Sequence, residues 1–387
     1  MRFLSADYIF SAHTGFLKDA VLVLDGDNRV IDLTGFHSIA AEKTEKFQGV
    51  LCPGFINAHC HLELSHLRGQ ISKHTGFSGF AKQLMSKRLL FTAEQVYGAL
   101  KHANDEMFRN GIVAVGDISN TSASFAIKST CEIFYHTFIE LLALDPAKAH
   151  STFNSGKSLL ADAPLPCSLT PHAPYSVSPV LLDLVAEDNR QNGNVLSIHN
   201  QESLDEEEFL LTGTGPLREF YRYLGIDLSF YRPPGINSLR ATLPHLLNDK
   251  NLLLVHNTFT SEEDLRWAEK QHKNIWWCFC PNANLYIENR LPDFEMFVSN
   301  GARTCVGTDS LASNETLSIL EELKIIAARV PSIAPQDLLT WATRNGAEAL
   351  QLDTYGSFEK NKIPGVNLLS GITPEAISAM AEVCRII

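Results

Sequence analysis

Apolar residues in this chain gather in short runs, each closed by polar residues and followed by a stretch compatible with a helix. The runs are VLCPGFI leading into NAHCHLE (50–63), GIVAVGD (111–117), YHTFIELL (135–142), CSLTPH (167–172), NVLSIHNQE (194–202), NLLLVHN (251–257), IWWCFCPN (275–282) and RTCVGTDS (303–310). Strands alternating with helices imply a parallel sheet, and eight repeats of the unit predict a closed (β/α)8 TIM barrel. Helix starts support this. TAEQ (92–95) is a capping box ahead of the run 96–110, which Gly111 ends, and SEED (261–264) opens the run to about Lys273.

The two ends of the chain read differently. AVLVL (20–24) and RVIDL (29–33) flank DGDN (25–28), a hairpin-type turn, and GSF (356–358) and VNLL (366–369) are further short strand candidates. These pieces predict a small β-sandwich domain built from both termini, residues 1–52 plus 353–387, with the barrel at 53–352. Residues 203–250 are too long for a plain crossover between the fifth and sixth strands and form a candidate lid or specificity insertion.

Composition narrows the function without naming it. The chain has 387 residues, 45% of them hydrophobic and 20% charged, as in ordinary globular proteins. A formal net charge of −12 argues against a nucleic-acid-binding face and leaves small-molecule ligands open. The eight cysteines contain no CxxC and stand mostly inside apolar runs, as buried reduced thiols of a cytoplasmic protein would. MRFLSADY lacks the apolar core of a secretion signal, and no apolar run approaches the ~20 residues that span a bilayer. A soluble cytoplasmic chain with no membrane partner is expected, with homo-oligomerisation left open.

The candidate chemistry stands at the strand ends, which in a barrel meet in one bowl. Those positions hold His59, His61, His172, His199, His256 and Asp309. Alternate residues of a strand face the same way, so His59 and His61 converge on one object. One histidine at a strand end is usually structural; five, with an aspartate, are not accounted for in that way. Imidazole and carboxylate suit Zn²⁺ or Fe²⁺, and such an ion lowers the pKa of water from ~15.7 toward ~7. Glu202, three residues beyond His199, is placed to shuttle protons beside that position.

Other patterns are weaker. His61-Leu62-Glu63 matches an H-x-E zinc motif, but its Pro-Cys-x-x-Cys partner is missing. Cys278 and Cys280 read as core, and DEEE (205–208) as a solvated helix start. GTGP (213–216) lacks G-x-G-x-x-G, and no serine sits in G-x-S-x-G. In GFSGFAKQL (76–84), Phe77, Phe80 and Leu84 form a helix face for packing or for stacking on a planar ring. His66 and His74 are placed near the mouth.

HCH (59–61), the HxxE of His199 and Glu202, His256 and GTDS (307–310) together resemble the amidohydrolase superfamily. The likeness is closest to its cytosine-deaminase and chlorohydrolase-like branch, which includes guanine, S-adenosylhomocysteine and aminofutalosine deaminases. PGFINAHCH (53–61) is similar to that branch's entry strand, and CPNAN (280–284) to its strand-seven motif.

The resemblance implies a divalent metal, Zn²⁺ with Fe²⁺ as the alternative, held by His59, His61, His199 and Asp309. It implies Glu202, His256 and Asp309 as catalytic groups, and His172 as a substrate contact. LTPH (169–172) stands where binuclear members carry a bridging ligand, so one ion is implied. Arg68, Phe80 and Tyr175 are further candidate substrate contacts.

The expected reaction is hydrolytic deamination of an amino-substituted heteroaromatic ring, nucleobase or nucleoside-like, with aminofutalosine favoured. The alternatives are hydrolysis of a C–Cl, amide or cyclic imide bond at the same site, and a non-catalytic ligand-binding barrel. Asn200, Gln201 and Ala283 depart from the branch's pattern and bear on substrate identity. Val366 and Asn367 depart from it in a structural strand.

Overall fold

A computed structural model of the chain describes residues 1–35, 43–246 and 250–387. The eight barrel strands are Phe55–Cys60, Ile112–Ser119, Phe134–Leu141, Cys167–Pro171, Leu196–Asn200, Leu252–His256, Ile275–Phe279 and Thr304–Val306. Parallel ladders join the first four and, separately, the last four. Two seams close the ring. At one, the His199 N–H donates to the His172 carbonyl at 3.0 Å; at the other, the Asp309 N–H donates to the His59 carbonyl at 3.1 Å. Gly307 makes the second seam possible, because a Cβ there would lie 2.7 Å from the His59 carbonyl oxygen.

Helices cover the strands on the outside, so the strands are buried on both faces and read as near-continuous apolar runs. The predicted capping box is present: Thr92 accepts from the Gln95 N–H and the Gln95 side chain accepts from the Thr92 N–H. The fifth, seventh and eighth strands end earlier than their apolar runs suggested. Gln201 and Asp309, which follow two of them, take left-handed backbone angles (φ 45° and 55°) that no ladder accommodates.

The terminal segments form two small sheets. One has five strands in the order Ile377–Arg385, Val366–Ile372, Val50–Pro53, Tyr8–Ser11, Gly15–Leu17. The other has four, in the order Val30–Gly35, Ala20–Leu24, Arg2–Ser5, Glu45–Lys46. Leu4, Ile9, Leu22, Leu51, Phe358 and Val366 share the apolar layer of this region.

Two readings need correction here, and one strand was missed. VLCPGFI is not one strand: Val50–Pro53 pairs with Val366–Leu369 in the small sheet, and the barrel begins at Phe55. Gly54 is the joint, where a Cβ would meet Val113 Cγ1 at 2.2 Å. GSF is not a strand; it is a loop pinned by the Phe358 N–H on Ser11 Oγ at 2.9 Å. The strand Ile377–Arg385 went unread because most of its side chains are exposed or half-exposed, which leaves little apolar alternation.

The insertion folds into the helices Leu204–Thr212, Pro216–Tyr223 and Ser238–Leu246. No helix among the described residues is long and apolar enough to cross a membrane.

Candidate metal centre and cavity

The strand ends bring seven predicted residues into one cluster, six of them buried and His172 half-buried. His59 Nε2 and His61 Nε2 are 3.1 Å apart, and His61 Nε2 and His199 Nε2 are 3.2 Å apart. Asp309 Oδ1 lies 3.7 Å from His59 Nε2 and 3.5 Å from His61 Nε2. His256 Nε2 lies 3.6 Å from Glu202 Oε2. His172 stacks obliquely on His199, with ring centroids 4.9 Å apart.

Each ring is aimed by a second partner. The His199 Nδ1–H donates to the His172 carbonyl at 2.8 Å, which fixes the tautomer and leaves the Nε2 lone pair facing the cluster. His256 Nδ1 is 2.9 Å from Asn284 Oδ1 and is set the same way. Asn284 belongs to the CPNAN motif, so that motif's contribution is to orient His256. Ser313 Oγ donates to Asp309 Oδ2 at 2.5 Å. The Leu62 N–H donates to Asp117 Oδ1 at 2.8 Å, and Asp117 is itself paired with the buried Lys128 at 2.5 Å. That pair anchors the chain directly after His61. His256 (φ 76°) joins Gln201 and Asp309 in the left-handed region, a backbone cost of about 1–3 kcal/mol each that concentrates here.

Burial pushes the His61 ring down to about 3, and burial with the surrounding imidazoles pushes His199 well below its ordinary value. Burial by itself would raise Asp309, but its bond to His59 and the neighbouring rings hold it below the usual carboxylate range. The cluster is therefore two neutral rings and an ionised carboxylate, with His59 Nε2 turned onto the same point.

Lone pairs this close repel unless a cation sits among them. In tetrahedral geometry, ligand atoms at about 2.05 Å from Zn²⁺ stand about 3.3 Å apart, close to the spacings of these donors. His59, His61, His199 and Asp309 thus fit a divalent ion. At the fourth strand, donor atoms of His172, Glu140 and His199 also lie within 4.8 Å of one another, but the His199 Nδ1–H is already given to the His172 carbonyl.

Glu202 is held from two sides. The Tyr175 hydroxyl donates to Glu202 Oε1 at 2.5 Å, and the Glu202 N–H donates to Glu206 Oε2 at 3.1 Å. Burial, then the nearby Glu206 carboxylate, drive the Glu202 carboxyl well above its ordinary value, which favours its protonated form. DEEE therefore was not merely a solvated helix start. Glu206 is fully buried, accepts the N–H groups of both Gln201 and Glu202, and is pushed up to about 7 by burial.

A cavity of about 450 Å³ opens above the cluster, within the range of small-molecule sites. His61, His172, Tyr175, His199, Glu202, His256 and Asp309 form its floor. Phe77, Phe80 and Leu84 of helix Gly76–Lys87, with Phe220, Leu224 and Phe230 of the insertion, form an apolar sleeve above it. The structure thus brings Phe80, His172 and Tyr175 to the cavity.

Arg68 is a correction. It points away and pairs with Glu106, whose carboxylate also accepts from Thr316 and Leu317, so it braces a loop. His66 and His74 do not line the cavity. Asn200 and Gln201 turn away to bond Asn257 and Asp264, so they do not select a substrate. Asn367 is structural: it donates to the Gly111 carbonyl at 2.8 Å. Cys278 and Cys280 are buried among apolar residues, and all eight cysteines are free. Of these eight, Cys131 and Cys167 are half-buried and Cys384 is exposed.

Among the cavity residues that were missed, two polar ones stand out. Glu140 stands at the end of the third strand and Asn120 just past the second. The available signal was a lone carboxylate closing the apolar run YHTFIELL, the same position that held histidines on other strands.

A parallel barrel whose strand ends converge on a cluster that fits a cation, with a buried carboxyl beside it, is the arrangement of a metal-dependent hydrolase. Residues 50–383 match the model of the Amidohydrolase family, and the chain belongs to that family. It is 29% identical over 351 residues to an adenosine deaminase of Helicobacter pylori, covering 87% of this chain and 84% of that one. To a 5-methylthioadenosine/S-adenosylhomocysteine deaminase of Pyrococcus abyssi it is 26% identical over 353 residues, 87% of this chain and 77% of the other. Among solved structures, Helicobacter pylori aminofutalosine deaminase in complex with methylthio-coformycin matches with a TM-score of 0.82 and 26% identity, covering 97% of this chain and 94% of that one.

Proposed function

We propose that this chain hydrolytically deaminates a 6-aminopurine nucleoside carrying a 5′ substituent in place of the hydroxyl, of the aminofutalosine or methylthioadenosine type. The observation that carries the reading is a buried, doubly anchored Glu202 facing His256 beside the clustered donors, with its carboxyl driven up by burial. Hydrolysis of an amide or imide does not require a proton at a ring nitrogen, whereas attack on the C=N bond of an amino-substituted ring is eased by one. The apolar sleeve supports a substituent beside the ring, and the names of the relatives point the same way.

His59, His61, His199 and Asp309 would hold the ion, zinc in the first reading and ferrous iron as the alternative that the same imidazole and carboxylate donors accept. When bound, it supplies hydroxide near neutral pH by lowering the pKa of water. The rest falls to the protein. His256, its Nδ1–H spent on Asn284, presents Nε2 as an acceptor that orients the attacking water. Glu202 gives its proton to the ring nitrogen, which makes the amino-bearing carbon electrophilic. The water oxygen bonds to that carbon, and Asp309 or Glu202 takes the water's proton. A proton then reaches the amine, and the C–N bond breaks with its electron pair leaving on ammonia. Preorganised groups of this kind need no rearrangement at the moment of reaction.

This reading assigns catalysis to residues 53–352. Residues 1–52 and 353–387, read as a separate β-sandwich, contribute nothing to the cavity lining among the described residues. The test is ammonia release from adenosine, 5′-methylthioadenosine and aminofutalosine beside a cyclic imide and a chlorotriazine. Turnover is expected with the nucleosides; turnover of only the imide or the chlorotriazine overturns the reading. Elemental analysis of the purified protein decides between zinc and iron.

A further inference from the structure

We propose that Glu140 is a specificity residue that accepts a hydrogen bond from a hydroxyl of the substrate's sugar. The inference rests on the nucleoside reading above. Glu140 is 7% exposed and lines the cavity. One of its oxygens is tied down: the Asn120 Nδ2–H donates to Oε2 at 3.0 Å and to the Glu140 carbonyl at 3.3 Å. Asn120 is fixed in turn, because its N–H and the Thr121 hydroxyl donate to the Glu63 carboxylate. The other oxygen, Oε1, has no hydrogen-bond partner among the described residues. It lies 3.7 Å from His199 Nδ1, whose proton is already given to the His172 carbonyl. A buried carboxylate oxygen left without a donor is costly, so a ligand donor is the natural complement.

The chemistry of the substrate says which donor. In a 9-substituted 6-aminopurine the free ring nitrogens are acceptors, and the only N–H groups belong to the amine that must reach Glu202 and the metal cluster. The sugar hydroxyls are the donors left for a second carboxylate. His172 lies between the two regions, with Nδ1 held by Ser176 Oγ at 2.6 Å.

A competing use is a second metal site, since donor atoms of Glu140, His172 and His199 lie within 4.8 Å of one another. The His199 Nδ1–H bond speaks against it.

The test compares the metal-loaded enzyme with Glu140→Gln and Glu140→Ala. Substrates are 5′-methylthioadenosine and its 2′,3′-dideoxy counterpart, read as kcat/KM; the corresponding deaminated products are read as Kd by calorimetry. Wild type is expected to favour the hydroxylated member of each pair by about 10- to 100-fold, the scale of a hydrogen bond to a charged group. Both variants should bring that ratio toward one while retaining the wild-type metal content. An unchanged ratio, or equal losses on both members, overturns the assignment while leaving the deaminase reading intact. Metal loss in both variants assigns Glu140 to the metal centre instead. Failure of wild type to bind or turn over any nucleoside overturns the nucleoside reading, and this inference with it.

Discussion

The floor of the cavity and its sleeve are built on different physics. On the floor, His61, His199, Glu202, His256 and Asp309 are at most 9% exposed, and directional bonds hold them: His172 carbonyl on His199, Asn284 on His256, Ser313 on Asp309, Tyr175 on Glu202. The sleeve is apolar side chains in contact, and it opens outward, with Met85 39% and Leu142 47% exposed at the mouth. Directional bonds fix atoms to fractions of an ångström and so fix a reaction. Apolar contact scales with area and tolerates exchange, so it sets which molecules are admitted. Floor substitutions should therefore strike turnover, and sleeve substitutions should redistribute activity among substrates.

The largest effect is expected from His199→Ala, which removes a proposed ligand whose Nε2 lies 3.2 Å from that of His61. Metal content should fall and ammonia release should drop at least ~1000-fold, the worth of several kcal/mol of metal assistance. Full metal occupancy with wild-type rates would place the metal elsewhere. Next comes Glu202→Gln. It should retain the metal, because Glu202 is not among the four grouped donors, yet lose at least ~100-fold in kcat as a general acid/base does. Near-normal turnover would take the proton shuttle away from Glu202.

The same contrast explains what the sequence made legible. Barrel strands and floor residues were readable because each repeat ends an apolar run with a chemical residue, and strand period alone puts His59 and His61 on one face. The partners that aim those residues were not. Glu206 acts through two backbone N–H groups four and five residues away, and Asp117 through the Leu62 N–H across two strands, contacts that no period encodes. Glu140 was missed because one carboxylate on an apolar strand looks like noise until Asn120 is seen beside it. Arg68 was misassigned because proximity in sequence to a metal motif says nothing about which way a side chain turns. The sleeve depends on how the insertion helix Pro216–Tyr223 lies against helix Gly76–Lys87, a tertiary fact.

For the sleeve, Phe80→Ala sharpens the comparison. Phe80 is buried on the cavity side of its helix, and a full aromatic burial is worth about 1.5–3 kcal/mol. Losing part of that should lower kcat/KM for 5′-methylthioadenosine about 10-fold relative to adenosine, mostly through KM. An equal fall for both substrates, carried by kcat, would move Phe80 from the sleeve to the floor.

The smallest effect concerns pH and Glu206. Its carboxyl stands at about 7 in the folded chain, raised by burial from an ordinary 4.5. The unfolded chain therefore gives up this proton first as pH rises. Stability from this group is fully present below pH 4.5 and is lost progressively up to about pH 7, after which no more is lost. At ~1.4 kcal/mol per pH unit the total is about 3 kcal/mol. Glu206→Gln cannot ionise, so its denaturation free energy should fall less steeply than wild type between pH 4.5 and 7, measured on metal-free protein. It should also carry a constant penalty, because an amide cannot accept the Gln201 and Glu202 N–H groups with both of its terminal atoms. Parallel slopes for the two proteins would mean that Glu206 keeps its charge when buried, stabilised by those two donors, and that Glu202 feels a fixed negative neighbour at every working pH.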